Sequence, residues 1–188
     1  VVGYAATAIT LDGCDNSGDI TNNRTTTALN IYMGGLLGEV ANVDLTVKNC
    51  NISGMLTNNA SGGKLTMGAI AGICRKNTIS NCHSTMSITN TYANQYVAGF
   101  IGQVEANVVT NISNCSVNSA VISTGKSGMF VGRLTDKSTD GITTTLSNIW
   151  VKGSFEGTTL SAENYTSYCY GTDSDYKVTD QIKFGSFQ

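Results

Sequence analysis

The stretch Gly68-Ala69-Ile70-Ala71-Gly72, followed within ten residues by Ile79-Ser80-Asn81-Cys82, decides the fold. Both motifs recur along the 188-residue chain, so that five degenerate copies align. The glycines that close the first motif lie 30 to 35 residues apart and are Gly3, Gly38, Gly72, Gly102 and Gly132. Tandem repetition at such a period is typical of solenoids, in which each repeat forms one coil and packs only against its neighbours.

The second motif places a turn-forming residue directly before the cysteine position. This residue is glycine in the first copy and asparagine in the other four: Gly13, Asn49, Asn81, Asn114 and Asn148. Glycine and asparagine enter the left-handed αL region most readily, so the motif predicts a sharp bend between two short strands. We expect these residues to stack in one column, with their amides bonded along it so that buried polar groups are satisfied.

Strand periodicity surrounds these landmarks. The residue two positions after each closing glycine is apolar, and we expect the residue between them to face solvent. The apolar set is Ala5, Val40, Cys74, Val104 and Leu134, and the set between is Tyr4, Glu39, Ile73, Gln103 and Arg133. Repeat length varies only at two corners, one after each closing glycine and one in polar segments such as residues 22–27 and 58–64.

The composition agrees with strands and turns, because the chain has 21 glycines and no proline, which central strands exclude. Helix-pair repeats have similar periods but need helix formers at 3.6-residue spacing, whereas glycine, threonine and asparagine fill these segments. An antiparallel sandwich is the remaining alternative. The matching columns in five copies favour an all-β fold, a parallel β-solenoid of about five coils over residues 1–155.

Residues 156–188 lose the repeat, and we expect them to cap the same domain. The segment is rich in aromatic residues: Tyr165, Tyr168, Tyr170, Tyr176, Phe184 and Phe187. An open solenoid end exposes apolar interior and unpaired strands, which terminal elements must cover. A sugar-binding aromatic platform is the alternative role. At the other end Val1 begins inside an apolar strand, so we expect further repeats upstream.

The Gly-apolar-apolar-Gly runs, together with Ile79–Cys82 and Ile112–Cys115, resemble the GLUG-motif repeat over residues 1 to about 155. The resemblance implies a right-handed parallel β-helix in an exported or surface-anchored bacterial protein of adhesin-like kind. It carries no catalytic residues to transfer. The first and fifth copies depart from the pattern at Gly13 and Ile149, which suggests end coils.

Charge and hydropathy limit the classes of partner that the chain can bind. The charged fraction is 13%, the net charge is −2 and the charges are scattered, which argues against nucleic acid. Apolar runs of four to seven residues are too short to insert into a membrane. The resemblance to GLUG-motif repeats implies an extracellular or cell-surface location, and we expect host or microbial glycans or surface proteins as partners.

The cysteines are predicted to be structural. Cys14, Cys50, Cys82 and Cys115 share one column, in which parallel side chains in register point the same way and seldom reach disulfide geometry. We expect free, buried thiols that act as small apolar groups. Zinc is not expected, because the chain has one histidine and no C-x-x-C pair.

The remaining ionisable residues predict no catalytic, cofactor or metal site. His83 is expected to face outward as a surface residue. Asp12, Asp15 and Asp19 cluster in the first coil, and Asp173, Asp175 and Asp180 in the tail. Each cluster is either a weak calcium site or a solvated turn. We thus expect a non-enzymatic adhesin-like or spacer module; the alternative is a carbohydrate-active β-helix enzyme, which would group ionisable residues on one wall, or its accessory domain.

Overall fold

The computed structural model describes residues 1–24, 30–60, 63–93, 95–105, 109–135, 144–175 and 177–187. Within these residues the chain is nearly all β and forms three sheets, whose repeat strands are all parallel and come from successive coils. About five coils stack in this way. The β-solenoid predicted from the repeats is therefore confirmed.

Sheet A holds one strand from each coil, and these strands carry the closing glycines. They are β1 (Val2–Ala5), β5 (Leu37–Val40), β10 (Ala71–Cys74), β15 (Ile101–Val104) and β18 (Val131–Leu134). Leu37 is in register with both Val2 and Ala71, and the strands follow one another in chain order across the sheet. The sequence alignment of the five copies is thus also their spatial register.

Sheet B contains the longest part of each coil. Its strands are β2 (Ile9–Asp12), β3 (Ile20–Asn22), β6 (Leu45–Lys48), β7 (Asn51–Ile52), β8 (Met55–Asn58), β11 (Asn77–Ser80), β12 (His83–Ser84), β13 (Ser87–Asn90), β16 (Thr110–Ser123), β19 (Thr144–Phe155), β20 (Thr158–Thr159) and β21 (Ile182–Phe184). The apolar residues six positions past the cysteine position are in register, as the pair Leu56 and Ile88 shows.

The bend before the cysteine position is confirmed. Gly13, Asn49, Asn81, Asn114 and Asn148 have φ values of 62°, 57°, 51°, 52° and 54°, all in the left-handed region. Asn81 Nδ2 donates to Asn49 Oδ1 at 3.3 Å, and Asn148 Nδ2 donates to Asn114 Oδ1 at 3.0 Å. The expectation that this column satisfies buried polar groups is wrong, because the four asparagines are exposed or half-buried at an outer corner.

A different asparagine ladder lies inside the solenoid. Asn22 donates through Nδ2 to Asn58 Oδ1 at 2.8 Å, Asn58 to Asn90 Oδ1 at 3.0 Å, and Asn90 to Ser123 Oγ at 3.3 Å. Asn58 and Asn90 are only 2% and 1% exposed. These residues were expected in polar turns, but they end strands of sheet B and point inward. Asn58 also donates to the carbonyl of Ala60 and so closes the turn that follows it.

Sheet C is a wall that the sequence analysis did not anticipate. It consists of β4 (Ile31–Gly34), β9 (Leu65–Gly68), β14 (Tyr96–Ala98) and β17 (Lys126–Gly128). The Gly-apolar-apolar-Gly motif spans the corner from sheet C to sheet A. Phe100 and Phe130 lie at this corner, fully buried, with ring centroids 5.3 Å apart.

The closing glycines allow sheets A and C to come close together. A Cβ added at Gly72 would lie 2.6 Å from Gly38 O and 2.8 Å from Met33 N. Real Cβ atoms do not approach backbone so closely, so a side chain here would force the two sheets apart. The glycine of the motif is therefore required by this close approach.

The cysteine column lies in the core as predicted. Cys50, Cys82 and Cys115 are fully buried, Cys14 is half-buried in the first coil, and all six cysteines are free. Each of the three buried thiols of this column donates to the carbonyl two residues earlier, as Cys50 Sγ does to Lys48 O at 3.1 Å. Burial raises the pKa of Cys50 to about 11, so this thiol is protonated at neutral pH and behaves as an apolar group.

The C-terminal segment covers the fifth coil. After Phe155 the chain turns into β20, forms the short helix α1 (Tyr165–Tyr168) and returns as β21 beside β19. The backbone N–H of Phe130 donates to Cys169 O at 2.9 Å, and the edge of Tyr170 contacts the Phe130 ring. The capping role stays a prediction, and Tyr176 lies outside the described residues. No helix among the described residues has the length and apolar character needed to span a membrane.

Candidate functional site

A cleft of about 310 Å³ is lined by side chains from sheets A and C, and we call it the axial cleft. Tyr32, Thr66 and Tyr96 form one wall, because they are in register on three successive strands of sheet C. The other wall is a column of sheet A. This column consists of Ile73, Gln103 and Arg133. The remaining lining residues are Asn30, Lys64, Leu65, Gln95 and Glu105.

The column of sheet A in this cleft is the one expected to face solvent. That expectation is wrong for Ile73, which is only 2% exposed, and Gln103 and Arg133 are half-buried. The alternation of inward and outward side chains along these strands was predicted correctly, but the outward side chains face sheet C instead of solvent. Sequence reasoning missed the cleft because it did not predict sheet C.

The end of the cleft at the fifth coil is held by polar contacts around Tyr96. The Arg133 guanidinium lies 5.1 Å from the centroid of the Tyr96 ring, and its Nη1 donates to the Tyr96 hydroxyl at 3.1 Å. Beside them Lys126 Nζ pairs with Asp173 Oδ2 at 2.5 Å, which raises the pKa of Lys126 through that hydrogen bond. One residue of the acidic tail cluster thus positions the cleft's end.

Two buried polar atoms, which belong to residues that line the axial cleft, have no partner. Thr66 Oγ1 and Arg133 Nε are inaccessible to solvent and make no hydrogen bond within the described residues. Thr66 as a whole is 4% exposed. Buried polar groups in folded proteins are nearly always paired, so these two atoms are exceptions, and their burial also keeps them out of reach of a ligand in the cleft.

A charged triad fixes the cleft's side next to Glu105. Arg75 Nε donates to Glu105 at 2.6 Å, while its Nη1 donates to Glu39 at 3.2 Å and to Val40 O at 2.7 Å. Burial alone would lower the pKa of Arg75, but the two carboxylates outweigh it and raise that pKa. Three successive coils are joined by this contact, and the charge of Glu105 is already neutralised.

His83 faces the outer wall of sheet B, as expected, but it is not a freely solvated residue. Its Nδ1 lies 2.9 Å from Ser116 Oγ, and the C-terminal Phe187 ring packs 5.2 Å away. The partial burial lowers the pKa of His83. A shallow pocket of about 270 Å³ surrounds it, and Lys152 is the ionisable neighbour among its described lining residues.

The aspartates of the first coil each hold a different point of the second coil. Asp12 pairs with Lys48 Nζ at 3.0 Å and accepts from Asn49 Nδ2 at 2.8 Å, and these contacts lower its pKa, with the Asn49 bond the largest cause. Asp15 accepts from the backbone N–H of Asn51 at 2.8 Å.

Asp19 does the same for the second coil through the N–H of Met55, also at 2.8 Å. The tail cluster is also divided, since Asp173 lies by the cleft and Asp180 accepts from its neighbour Gln181. Among the described residues, no three histidine, cysteine, aspartate or glutamate side chains converge as metal ligands would.

Searches of protein-family models, of curated proteins and of solved structures found nothing that matches this chain.

Proposed function

We propose that this chain is a non-enzymatic repeat module of a bacterial cell-surface or secreted protein, serving as an adhesin-like binding surface or a structural spacer. The observation that carries the proposal is the continuous register of sheets A, B and C. The second to fifth coils hydrogen-bond to one another along three walls, and the first coil joins the second along sheets A and B, with a rise of about 4.8 Å per coil. Such a rod holds surface groups at fixed intervals, which suits display and spacing.

The use of the charged side chains supports a module without catalysis. Hydrolysis and lyase chemistry need at least two ionisable groups aimed at one bond. Asp12, Asp15 and Asp19 instead bind the next coil, and Glu39 and Glu105 both hold Arg75. The resemblance to GLUG-motif repeats supports an exported or surface location.

A second candidate is the carbohydrate-active enzyme or its accessory domain. The axial cleft favours it to the extent that Glu105, Lys64 and Arg133 line one space. A general acid would have to come from Glu105, the carboxylate among the described lining residues.

The two functions are separated by assaying binding and product release together. We would incubate the purified chain with pectins, glycosaminoglycans and mucin glycans, measuring binding by calorimetry and new reducing ends or unsaturated products by chromatography. Binding without product release is expected. Product release that disappears in Glu105→Gln, but persists in Asp19→Asn on the first coil, would establish the enzyme instead.

A further inference from the structure

The last described residues cross the outer wall of sheet B and enclose a pocket against it. Gly185 has a φ of 126°, a conformation that favours glycine, and the chain then runs over the wall toward earlier coils. Ser186 Oγ accepts from Lys152 Nζ at 2.8 Å, and the Phe187 ring lies 5.2 Å from the His83 ring. The segment thus reaches from the fifth coil to the third. We call the space beside it, about 270 Å³ in volume, the outer pocket.

The floor of the outer pocket consists of polar side chains on the outer face of successive strands. His83 is in register with Ser116, and Asn118 is in register with Lys152. Neighbouring coils lie about 4.8 Å apart, so these side chains form a grid of hydrogen-bonding positions. Thr85 and Asn118 are both exposed, so a ligand can reach their hydroxyl and amide groups from solvent.

The charges around the outer pocket favour an anionic ligand. Lys152 lines the pocket, whereas no aspartate or glutamate does so among the described residues. Its ammonium group has three N–H donors, and its contact with Ser186 uses one of them. Lys183 adds a positive charge nearby, because its Nζ lies 5.3 Å from the centroid of the Trp150 ring, next to Ser116 in the sheet. A ligand carboxylate would therefore meet a lysine with free donors and no competing carboxylate in the pocket.

The Phe187 ring gives the outer pocket an accessible apolar surface. The residue is 37% exposed, because only part of its ring packs against the tilted His83 ring. An aromatic surface beside hydroxyl and amide groups suits a sugar ring, which has apolar C–H faces and a rim of hydroxyl groups. Ligand pockets combine apolar surface with a few polar groups in this way, and about 270 Å³ suits one sugar ring of a longer glycan.

We propose that the outer pocket binds one acidic sugar residue of a glycan, with the sugar ring on Phe187, its carboxylate on Lys152 and its hydroxyl groups on Asn118 and Thr85. This inference rests on the proposed binding function and names its ligand class. Lys152 supplies the preference for the acid, and Phe187 supplies the affinity shared by charged and uncharged sugars.

The first test compares ligands with and without the carboxylate. Oligogalacturonate and its fully methyl-esterified form are titrated into the purified chain by calorimetry, and sialyllactose and lactose form a second pair. We expect the acidic member of at least one pair to bind at least about threefold more tightly, as an exposed ion pair allows, and this preference to shrink as salt is raised. The pair that shows the preference tells whether a uronate or a sialic acid is the better ligand. If neither pair shows it, the proposal is wrong.

Charge variants locate the carboxylate. Lys152→Gln should remove the preference for the acidic sugar while leaving binding of the uncharged partner unchanged. Lys76→Gln, which removes an equal charge from the corner beside Asp44, should keep the preference. A preference that survives in Lys152→Gln would show that the carboxylate binds elsewhere and would overturn the assignment.

Ring variants locate the sugar. Phe187→Leu keeps an apolar side chain against His83 but removes the flat ring, so it should weaken binding of both members of a pair severalfold. Phe187→Tyr should keep the parent affinity. Met55→Ala is the control, because Met55 is another exposed apolar residue of sheet B, and it should change neither affinity. All these positions are surface positions, so the melting temperatures should stay close to that of the parent. Equal binding by Phe187→Leu and the parent would contradict the stacking role.

Two further outcomes separate this inference from the proposed function. A chain that binds neutral glycans in the outer pocket without any preference for acids would still be a binding module, but the ligand class proposed for the pocket would be wrong. A glutamate-rich peptide that binds as tightly as the acidic sugar and competes with it would also overturn the sugar assignment. Release of shortened oligomers would contradict the non-enzymatic function, whereas loss of the acid preference in Lys152→Gln would still support the pocket as the sugar site.

Discussion

Asparagine residues have two different structural roles in this chain. At the outer corner Asn81 adopts a φ of 51° and supplies a bend, and its amide is exposed. At the end of β8 the side chain of Asn58 is 2% exposed and links the coils on either side of it. The backbone conformation matters at the first position, and the side-chain amide matters at the second.

The inner ladder predicts a large effect of removing one amide. Asn58→Ala removes the acceptor of Asn22 Nδ2 and both bonds between the Asn58 amide and the Ala60 backbone, and it leaves Asn90 Oδ1 with only the longer bond from the Tyr92 N–H. Each unsatisfied buried group costs about 1–3 kcal/mol. We expect the free energy of unfolding, measured by urea titration, to fall by at least that amount. Asn59→Ala is the control, since exposed Asn59 bonds to Asn23, and it should change stability by less than about 0.5 kcal/mol. Similar losses in both variants would contradict the ladder.

Sequence alone predicted one of these roles and not the other. The αL asparagines were identifiable because asparagine and glycine exchange at that position, and few other residues tolerate positive φ. Asn58 and Asn90 were assigned to turns, because a polar residue beside a variable corner is usually solvated. The available signal was the repeated tripeptide: Ile20-Thr21-Asn22, Leu56-Thr57-Asn58 and Ile88-Thr89-Asn90, which continues strand alternation so that the asparagine points inward.

The closing glycines allow the strands of sheets A and C to pack closely together, so adding a side chain at Gly72 should destabilise the fold. Gly72→Ala places a Cβ within 2.9 Å of backbone atoms of three neighbouring strands, so the two sheets must separate. Overpacking of this kind typically costs about 1–3 kcal/mol, which we expect as a lower midpoint of chemical unfolding.

Gly3→Ala is the matched control, because it changes the same motif position in the first coil, where nothing lies within 4 Å of an added Cβ. Its midpoint should stay close to that of the parent. If Gly72→Ala proved as mild as Gly3→Ala, close sheet contact would not explain the glycine column.

Sheet C was not predicted from the sequence, and the reason is physical. Most corners are marked by polar residues and by variable length, whereas the corner between β9 and β10 contains Ala69 and Ile70, both fully buried. A corner that turns inward on apolar side chains looks like a continuous strand in the sequence. The axial cleft, which sheet C and sheet A build together, could therefore not be predicted, although Arg133 and Ile73 had been aligned in the correct column.

The molecule as a whole should be indifferent to redox conditions. Its cysteines are free, and burial raises the pKa of Cys74 and of Cys169 to about 12, so neither forms the thiolate that disulfide exchange requires. We expect the intact mass under non-reducing conditions to correspond to six thiols and the melting temperature to be the same with and without a reductant. A mass lower by two hydrogens per bridge, with a melting temperature that falls on reduction, would contradict this.

The unequal corners of the solenoid leave its register untouched. Between sheets A and B only two residues separate Cys74 from Asn77, but five separate Val104 from Thr110, and the flanking strands still pair in step. A corner can therefore change in length or sequence during evolution without changing the packing of the interior, and the same changes are open to protein engineering. The corners tolerate change while the strands keep a fixed register, so new recognition loops could be grafted onto one coil at a time.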